Sequence, residues 1–325
     1  MDPGEPLVRQ RTLRVVLDVV KRYDIDGVHI DDYFYPYPIA QPRNRGELPF
    51  PDDASWAKYR ARGGKLTRND WRRENVNTLV RELAEAIRKE KPWVKFGISP
   101  FGIWRPGSPS TVRGFDAYEK LYADARKWMH EGWGDYFSPQ LYWPTYKEGQ
   151  KYPVLLEWWS KENRLRRHLW PGNFTSRAGA SGSGSFAVSE LMEQINVTRV
   201  HPGASGNVHF SMRSFTSNQA GMNDALIDGP YRVPALVPHS PWMKAPPPPA
   251  PRVSLGRDRD GVRTVELTTA TGDRPWLWVV RTRYDSGWHL DVVPGAAVAW
   301  RAPTTTDPLE VIVTTVNRIG EERSR

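Results

Sequence analysis

The sequence predicts an α/β domain of the (β/α) barrel type followed by a small all-β sandwich. Three observations lead there. From Pro6 to about Gly229, segments of helical periodicity alternate with short apolar strands. Each of those strands runs into polar and aromatic residues at its carboxyl end, where a barrel collects its site. Past the run Ala245-Pro246-Pro247-Pro248-Pro249-Ala250-Pro251 the apolar period shortens to two. The expected divisions are residues 1–240 for the barrel portion, 241–251 for an extended proline-rich linker making few contacts, and 252–325 for the sandwich.

The elements follow in order. A first helix carries Leu13, Val16, Val20 and Tyr23 on one face and leads into a strand ending at Asp31. A long segment from Tyr33 to about Asp70 is too extended for a connector and is expected to border a cleft. Then come a helix with Val76, Leu79, Val80, Leu83 and Ile87 and a strand from Val94 to Ser99. A helix from Phe115 to His130 precedes a strand from Asp135 to Trp143, and a helix from Val154 to Lys161 precedes a strand from His168 to Asn173. Helices near Ser189–Arg199 and Asn218–Asp228 flank a fifth strand, Asn207 to Arg213. A doubly wound nucleotide-binding sheet is disfavoured because no GxGxxG or P-loop follows any strand. The final segment alternates at 263–268, 276–283, 288–293, 297–301 and 309–316, the pattern of a fibronectin type III or immunoglobulin sandwich.

Composition narrows the function. A 325-residue chain with 39% hydrophobic content holds one large core and a smaller domain. Fifteen Trp and thirteen Tyr suit a carbohydrate binder, since aromatic faces stack on the C–H face of a sugar ring. The net charge of +9 is spread along the chain, with a modest concentration from Arg43 to Arg73, and no nucleic-acid-binding motif accompanies it. No cysteine is present, so disulfides and thiolate metal sites are excluded, and the seven histidines show no ligand spacing. No metal or other cofactor is expected. No apolar run is long enough to span a membrane, and Met1-Asp2-Pro3-Gly4 does not read as a signal peptide, so the sequence leaves the compartment open.

The chemistry concentrates in IDGVHIDDYFYPYP, Ile25 to Pro38. In Gly27-Val28-His29-Ile30-Asp31 the side chains alternate, so Val28 and Ile30 share one face while His29 and Asp31 share the other. A buried parallel strand is normally apolar on both faces, and ionisable groups at its carboxyl end point to catalysis.

Several segments carry a family resemblance: DGVHIDDYFYPYP, SPFGIWRPG at Ser99 to Gly107, GFDAYEKLYADARKWMHEGWGDYFSPQLYWP at Gly114 to Pro144, and DPGEPLVRQ at Asp2 to Gln10. Together they resemble the glycosyl-hydrolase-like family 10 domain over residues 2 to about 235. The resemblance implies a (β/α)8 barrel of glycosidase type in bacterial cell-envelope proteins, with peptidoglycan glycan strands as substrate for some members. It makes the strand ending at Asp31 the fourth of the barrel, so a TIM-type barrel lacking its first three βα units is expected here.

Glycoside hydrolysis needs a proton-donating carboxylic acid and a second carboxylate as nucleophile or base. Asp31 is the expected nucleophile or stabilising carboxylate, and the GVHID spacing is similar to the fourth-strand pattern of the alpha-amylase superfamily, with His29 in the basic position. Asp32 is expected either to bind a sugar hydroxyl or to fix the loop. The second carboxylate stays open between Glu47, Asp116, Glu148 and units upstream, while Asp135 is read as structural. Tyr33, Tyr35, Trp104, Tyr142 and Trp143 are the expected stacking surfaces. Gln140, Asn173, Arg177 and Arg213 are expected polar contacts, and Arg105 either pairs an acidic sugar or holds Asp116. The alternative function is a non-catalytic glycan-binding protein using the same aromatic cleft.

Overall fold

The computed structural model describes residues 1–42 and 46–324, which fall into two compact units, Met1–Leu226 and Ile227–Arg325. Arg43 and Arg45, part of the expected basic concentration, lie outside the described residues. In chain order the first unit contains α1 (Pro6–Arg22), β1 (Gly27–Ile30), α2 (Asp53–Ala61), α3 (Arg68–Glu90), β2 (Lys95–Ile98), α4 (Ala117–Lys120), α5 (Ala125–His130) and β3 (Tyr136–Phe137). It continues with α6 (Tyr152–Glu162), β4 (His168–Leu169), β5 (Gly172–Asn173), α7 (Val188–Val200), β6 (Val208–His209), α8 (Met212–Thr216) and α9 (Met222–Asp228), the last of which runs two residues past the division at Leu226.

The strands are parallel and stand in sequence order, β1-β2-β3-β4 in one sheet and β5-β6 in another. Single bridges from Gln140 to Phe101 and to Gly172 carry the pairing beyond the ends of β2 and β3 to β5. Sequential order is that of a (β/α) barrel wall, whereas a doubly wound sheet reverses at a switch point. One face of the sheet is the row Ile30, Ile98, Phe137 and Leu169, paired strand to strand. That row meets the helices. α3 begins where the Thr67 side chain accepts from the Asp70 N–H, and its Val76, Val80, Leu83 and Ile87 form one buried stripe. Leu13 and Val16 of α1 pack on this core beside buried Val20, but Tyr23 is 54% exposed, one residue past the helix end.

One expected helix and one expected loop come out differently. The expected helix from Phe115 to His130 is broken into α4 and α5, because Tyr122 takes a left-handed φ of 55° and its hydroxyl accepts from Arg72 Nη1 at 2.6 Å. The long segment after Tyr33 contains α2, pinned by Asp52 at its start. Among the described residues, no helix is long and apolar enough to cross a membrane.

The second unit holds β7 (Pro251–Arg257), β8 (Arg263–Thr269), β9 (Leu277–Tyr284), β10 (Gly287–Pro294), β11 (Ala299–Arg301), β12 (Glu310–Val316) and β13 (Glu322–Arg323). They form antiparallel sheets in the orders β10-β9-β12-β13 and β11-β8-β7, with Val265, Leu267, Trp278, Val280, Trp300 and Val313 buried in one cluster. β7 escapes sequence reading because it starts on the last residue of the proline run. Nor is that run a free spacer. Proline lacks an N–H but keeps its carbonyl, and Pro246, Pro248 and Pro249 accept from Asn317 Nδ2, Arg323 Nη1 and Thr315 Oγ1 at 2.9, 3.3 and 2.6 Å.

Candidate active site

The second face of the sheet carries the row His29, Gly97, Tyr136 and His168. A Cβ on Gly97 would sit 1.8 Å from the Tyr136 ring, so glycine is what lets that ring lie across β2. Tyr136 reaches His29, stacking at 5.7 Å with its hydroxyl 2.9 Å from Nδ1. On its other side it packs on Trp170 at 4.6 Å, and Trp170 stacks on His168 at 5.0 Å. Burial lowers the His29 pKa, against an opposing pull from Asp31. His29, the residue expected in the basic position, is thus held by the Tyr136 ring and hydroxyl on the same face of the sheet as Asp31.

Asp31 ends the strand with one oxygen committed. Its Oδ1 accepts from Gln140 Nε2 at 2.8 Å and from the Asp32 N–H at 2.9 Å, while Oδ2 has no partner among the described residues and the residue is exposed. Asp32 turns the opposite way, as pleat alternation requires, and is 3% exposed. The Tyr37 hydroxyl donates to its Oδ2. Tyr37 is itself held by stacking on Phe115 at 5.3 Å and by the edge of Tyr33 at 5.5 Å. Burial raises the Asp32 pKa despite the Tyr37 hydrogen bond, with the neighbouring Asp31 charge adding to the rise. Two adjacent carboxyls thus sit in unlike surroundings.

This has a measurable consequence for stability. A carboxyl whose folded pKa is raised stabilises the fold fully below its unfolded value of about 3.9, and that contribution is lost as pH rises through the folded value. Asp32→Asn never ionises. Its melting temperature relative to wild type should therefore climb between about pH 3 and pH 7; a difference that stays constant over that range would show that Asp32 carries no burial penalty.

The remaining expected site residues do not all gather at Asp31. Gln140, Tyr142 and Tyr33 lie with Asp31: Gln140 through its hydrogen bond, Tyr142 two residues further along the same segment, and Tyr33, 72% exposed, through Tyr37. Burial raises the Tyr142 phenol well above its usual range, with the Asp31 and Asp32 charges next in weight. Trp143 packs edge-on to Phe101 at 5.6 Å, against the core. Trp104 and Arg105 belong elsewhere. Trp104 stacks on Trp158 at 5.9 Å and donates to Asp124, while Arg105 pairs with Asp116 and Glu119 at 3.6 Å each.

Two stacking or polar contacts are corrected outright. Tyr35 is 1% exposed and packs between Phe50 and Tyr122 at 5.0 and 4.9 Å, so it is core. Asn173 is fully buried, donating to Gln194 Oε1 at 2.8 Å and accepting from Asn207 at 2.7 Å. Both belong to segments at strand ends, where rim positions are expected, yet neither faces solvent. Arg177 and Arg213 are exposed, Arg177 with its guanidinium 4.3 Å over the Phe174 ring.

The acid candidates do not converge on Asp31. Glu47 pairs with Lys120 at 2.7 Å, Asp116 caps α4 by accepting from the Glu119 N–H, and Glu148 pairs with Lys151. Asp135 accepts from the Phe96 N–H at 2.8 Å and is buried beneath the sheet. Among the described residues no three His, Cys, Asp or Glu side chains gather as a metal site. Sequence reading missed Tyr37, Tyr136, Trp170, Phe174 and Phe210. The tyrosine of β3 was findable from register, since the glycine between it and His29 leaves space for one large ring.

A family model described as glycosyl hydrolase-like 10 matches residues 1–179. The chain belongs to the glycosyl hydrolase-like 10 family. Glycosyl hydrolase YngK of Bacillus subtilis (strain 168) is 39% identical over 267 residues, 80% of this chain and 51% of the relative. Glycosyl hydrolase DigH of Escherichia coli (strain K12) is 35% identical over 221 residues, 65% of this chain and 48% of the relative. The chain thus spans about half the length of the curated relatives it matches. Among solved structures, bee venom hyaluronidase in complex with a hyaluronic acid tetramer aligns at a TM-score of 0.41 with 14% identity, over 68% of this chain and 74% of that one. A likeness that distant carries no argument about chemistry. The family match covers the candidate site up to the turn that bears Arg177 and leaves β6 and everything after it outside.

Proposed function

We propose that the Met1–Leu226 unit supplies the catalytic wall of a glycoside hydrolase acting on a bacterial cell-wall or related polysaccharide, in a (β/α) barrel whose Asp31 strand is the fourth. The observation that carries this reading is the state of Asp31: fixed through one oxygen by Gln140 and a backbone N–H, with the other oxygen free at a strand carboxyl end. A carboxylate so held is oriented for attack on, or charge stabilisation of, an oxocarbenium-like centre. Tyr33, exposed beside Tyr37, and Tyr142, in the segment that carries Gln140, are the rings nearest to it for stacking on a sugar. Asp32, buried and bonded to Tyr37, anchors the loop that presents Tyr33.

One observation favours a second reading. Glu47, Asp116 and Glu148 are each engaged elsewhere and Asp32 turns away from Asp31, which suits a glycan-binding wall without a proton donor of its own. Incubation of peptide-free cell-wall glycan strands with the protein, assayed for new reducing ends and for co-sedimentation, separates the two. New reducing ends support hydrolysis; co-sedimentation without them supports the binding protein; neither would overturn both.

A further inference from the structure

We infer that Arg177 forms a subsite for the carboxylate of an acidic sugar, next to the Asp31 rim. The inference deepens the glycan reading above and rests on it. Arg177 closes the 3-10 turn Thr175–Arg177, and its guanidinium lies 4.3 Å over the Phe174 ring. Gly184 brackets it from another side: a Cβ there would come within 3.1 Å of Nη1. The group is therefore held over the ring without an acidic partner. No carboxylate lies within 4.0 Å of it and no hydrogen bond engages it among the described residues, whereas Arg68, Arg72, Arg105 and Arg126 of the same unit all pair with carboxylates.

A guanidinium stacked on a ring keeps its edge N–H donors directed outward in a fork that matches a carboxylate. The ring beneath it is continuous with the candidate site. Phe174 packs on Tyr142 at 4.6 Å and on Phe210 at 5.6 Å, Phe210 is 49% exposed, and Tyr142 follows Gln140, which holds Asp31. Arg177 thus stands at the end of one wall running Asp31, Gln140, Tyr142, Phe174. The chain on either side of Arg177 is poor in acidic residues. From Asn163 to Asn223 the only carboxylate side chains are Glu190 and Glu193, and Glu190 is occupied by the Thr145 N–H and hydroxyl. Asp224, just beyond that stretch, is engaged by Asn218 Nδ2. Arg213, exposed and also without an ion pair among the described residues, lies in α8, which is tied to the Arg177 turn where Ser176 Oγ accepts from the Ser211 N–H at 3.0 Å. A neutral sugar needs no such charge. A ring carrying a carboxylate, whether a uronic acid or a hexosamine with a lactyl ether, would stack on the aromatic shelf and place its anion on Arg177.

The test is calorimetric titration of the intact chain and of Arg177→Gln and Arg177→Lys. Four probes are used: a peptide-free N-acetylglucosamine–N-acetylmuramic acid tetrasaccharide, the same compound with its carboxylates converted to amides, tetragalacturonate, and chitotetraose. At least one acidic probe should bind wild type more tightly than chitotetraose, and the better of the two identifies the source of the carboxylate. Arg177→Gln should weaken that probe by roughly 10- to 100-fold, the span of one charge-assisted hydrogen-bonded contact, while changing chitotetraose by less than about twofold. Arg177→Lys should recover only part of the loss because it cannot bind the anion through two parallel bonds. If the muramic acid compound is the preferred probe, its amide should bind wild type as weakly as the acid binds Arg177→Gln. Equal losses for acidic and neutral probes, or no loss for either, would overturn the subsite while leaving the glycan reading intact. Wild type that binds none of the four would overturn both.

Discussion

Asp52→Ala is expected to destabilise the Met1–Leu226 unit by about 3–5 kcal/mol, the range for removing one partner of a buried ion pair. Asp52 is fully buried and accepts from Arg72 Nε and Nη2 at 2.6 and 2.7 Å, and from Arg68. Burial alone would push its carboxyl up, but Arg72 and Arg68 overcome that and hold it below the usual range. Without it, Arg72 would remain 8% exposed against Tyr35 and Tyr122, with only the tyrosine hydroxyl and a distant carbonyl to accept its protons. The loss matters for function because this clamp fixes the start of α2 and the segment that leads back to Tyr37. Denaturant unfolding followed by tryptophan fluorescence measures it. A loss below about 1 kcal/mol would mean that water replaces the carboxylate, as at an exposed pair. The acid side of the same pair has a definite sign: a depressed folded pKa gives stability present above the unfolded value of about 3.9 and lost as pH falls through the folded one.

Gly102→Ala should cost about 1–3 kcal/mol, the range for inserting volume into a packed site, and should weaken glycan binding as well. A Cβ there would lie 2.1 Å from the Gln140 carbonyl oxygen and 2.8 Å from its carbon. Those are backbone atoms, so no rotamer change relieves the clash. The segment carrying Gln140 would have to move away from β2, withdrawing the amide that holds Asp31. Comparing Gly102→Ala with Gln140→Ala distinguishes the two effects. The second should reproduce the weakened binding with a smaller loss of stability, and unaltered binding in both would detach Gln140 from the site.

How much was readable in the sequence depends on whether a feature is local. The alternation of His29 and Asp31 against Val28 and Ile30 follows from strand geometry, and the structure keeps it: Ile30 joins the buried row while His29 meets Tyr136. The strand-bearing segments and the change of period after the prolines were visible for the same reason, but strand extents were not: the segment from Asp135 to Trp143 forms a strand only at Tyr136–Phe137, and that from His168 to Asn173 divides into β4 and β5 in separate sheets. What failed depended on packing across the chain. Tyr35 and Asn173 follow strand ends just as Tyr142 does, yet Phe50, Tyr122, Gln194 and Asn207 cover them. Tyr122 has a sequence suited to a continuous helix and breaks it because Arg72 and the ring of Tyr35 hold its side chain. The proline run looked like a spacer because its composition shows the missing donors but not the three side chains that use its carbonyls.

The reacting role of Asp31 is tested most directly by the rate at which Asp31→Asn releases reducing ends from peptide-free glycan strands, measured beside wild type with affinity for the same glycan. Asparagine keeps the size of the side chain and an oxygen to accept from Gln140, but cannot attack or carry the charge. Turnover should fall on the order of a thousandfold or more while affinity changes by less than about tenfold, the pattern of a group that acts in the transition state. Undiminished turnover by Asp31→Asn would contradict the assignment of this carboxylate to the reaction.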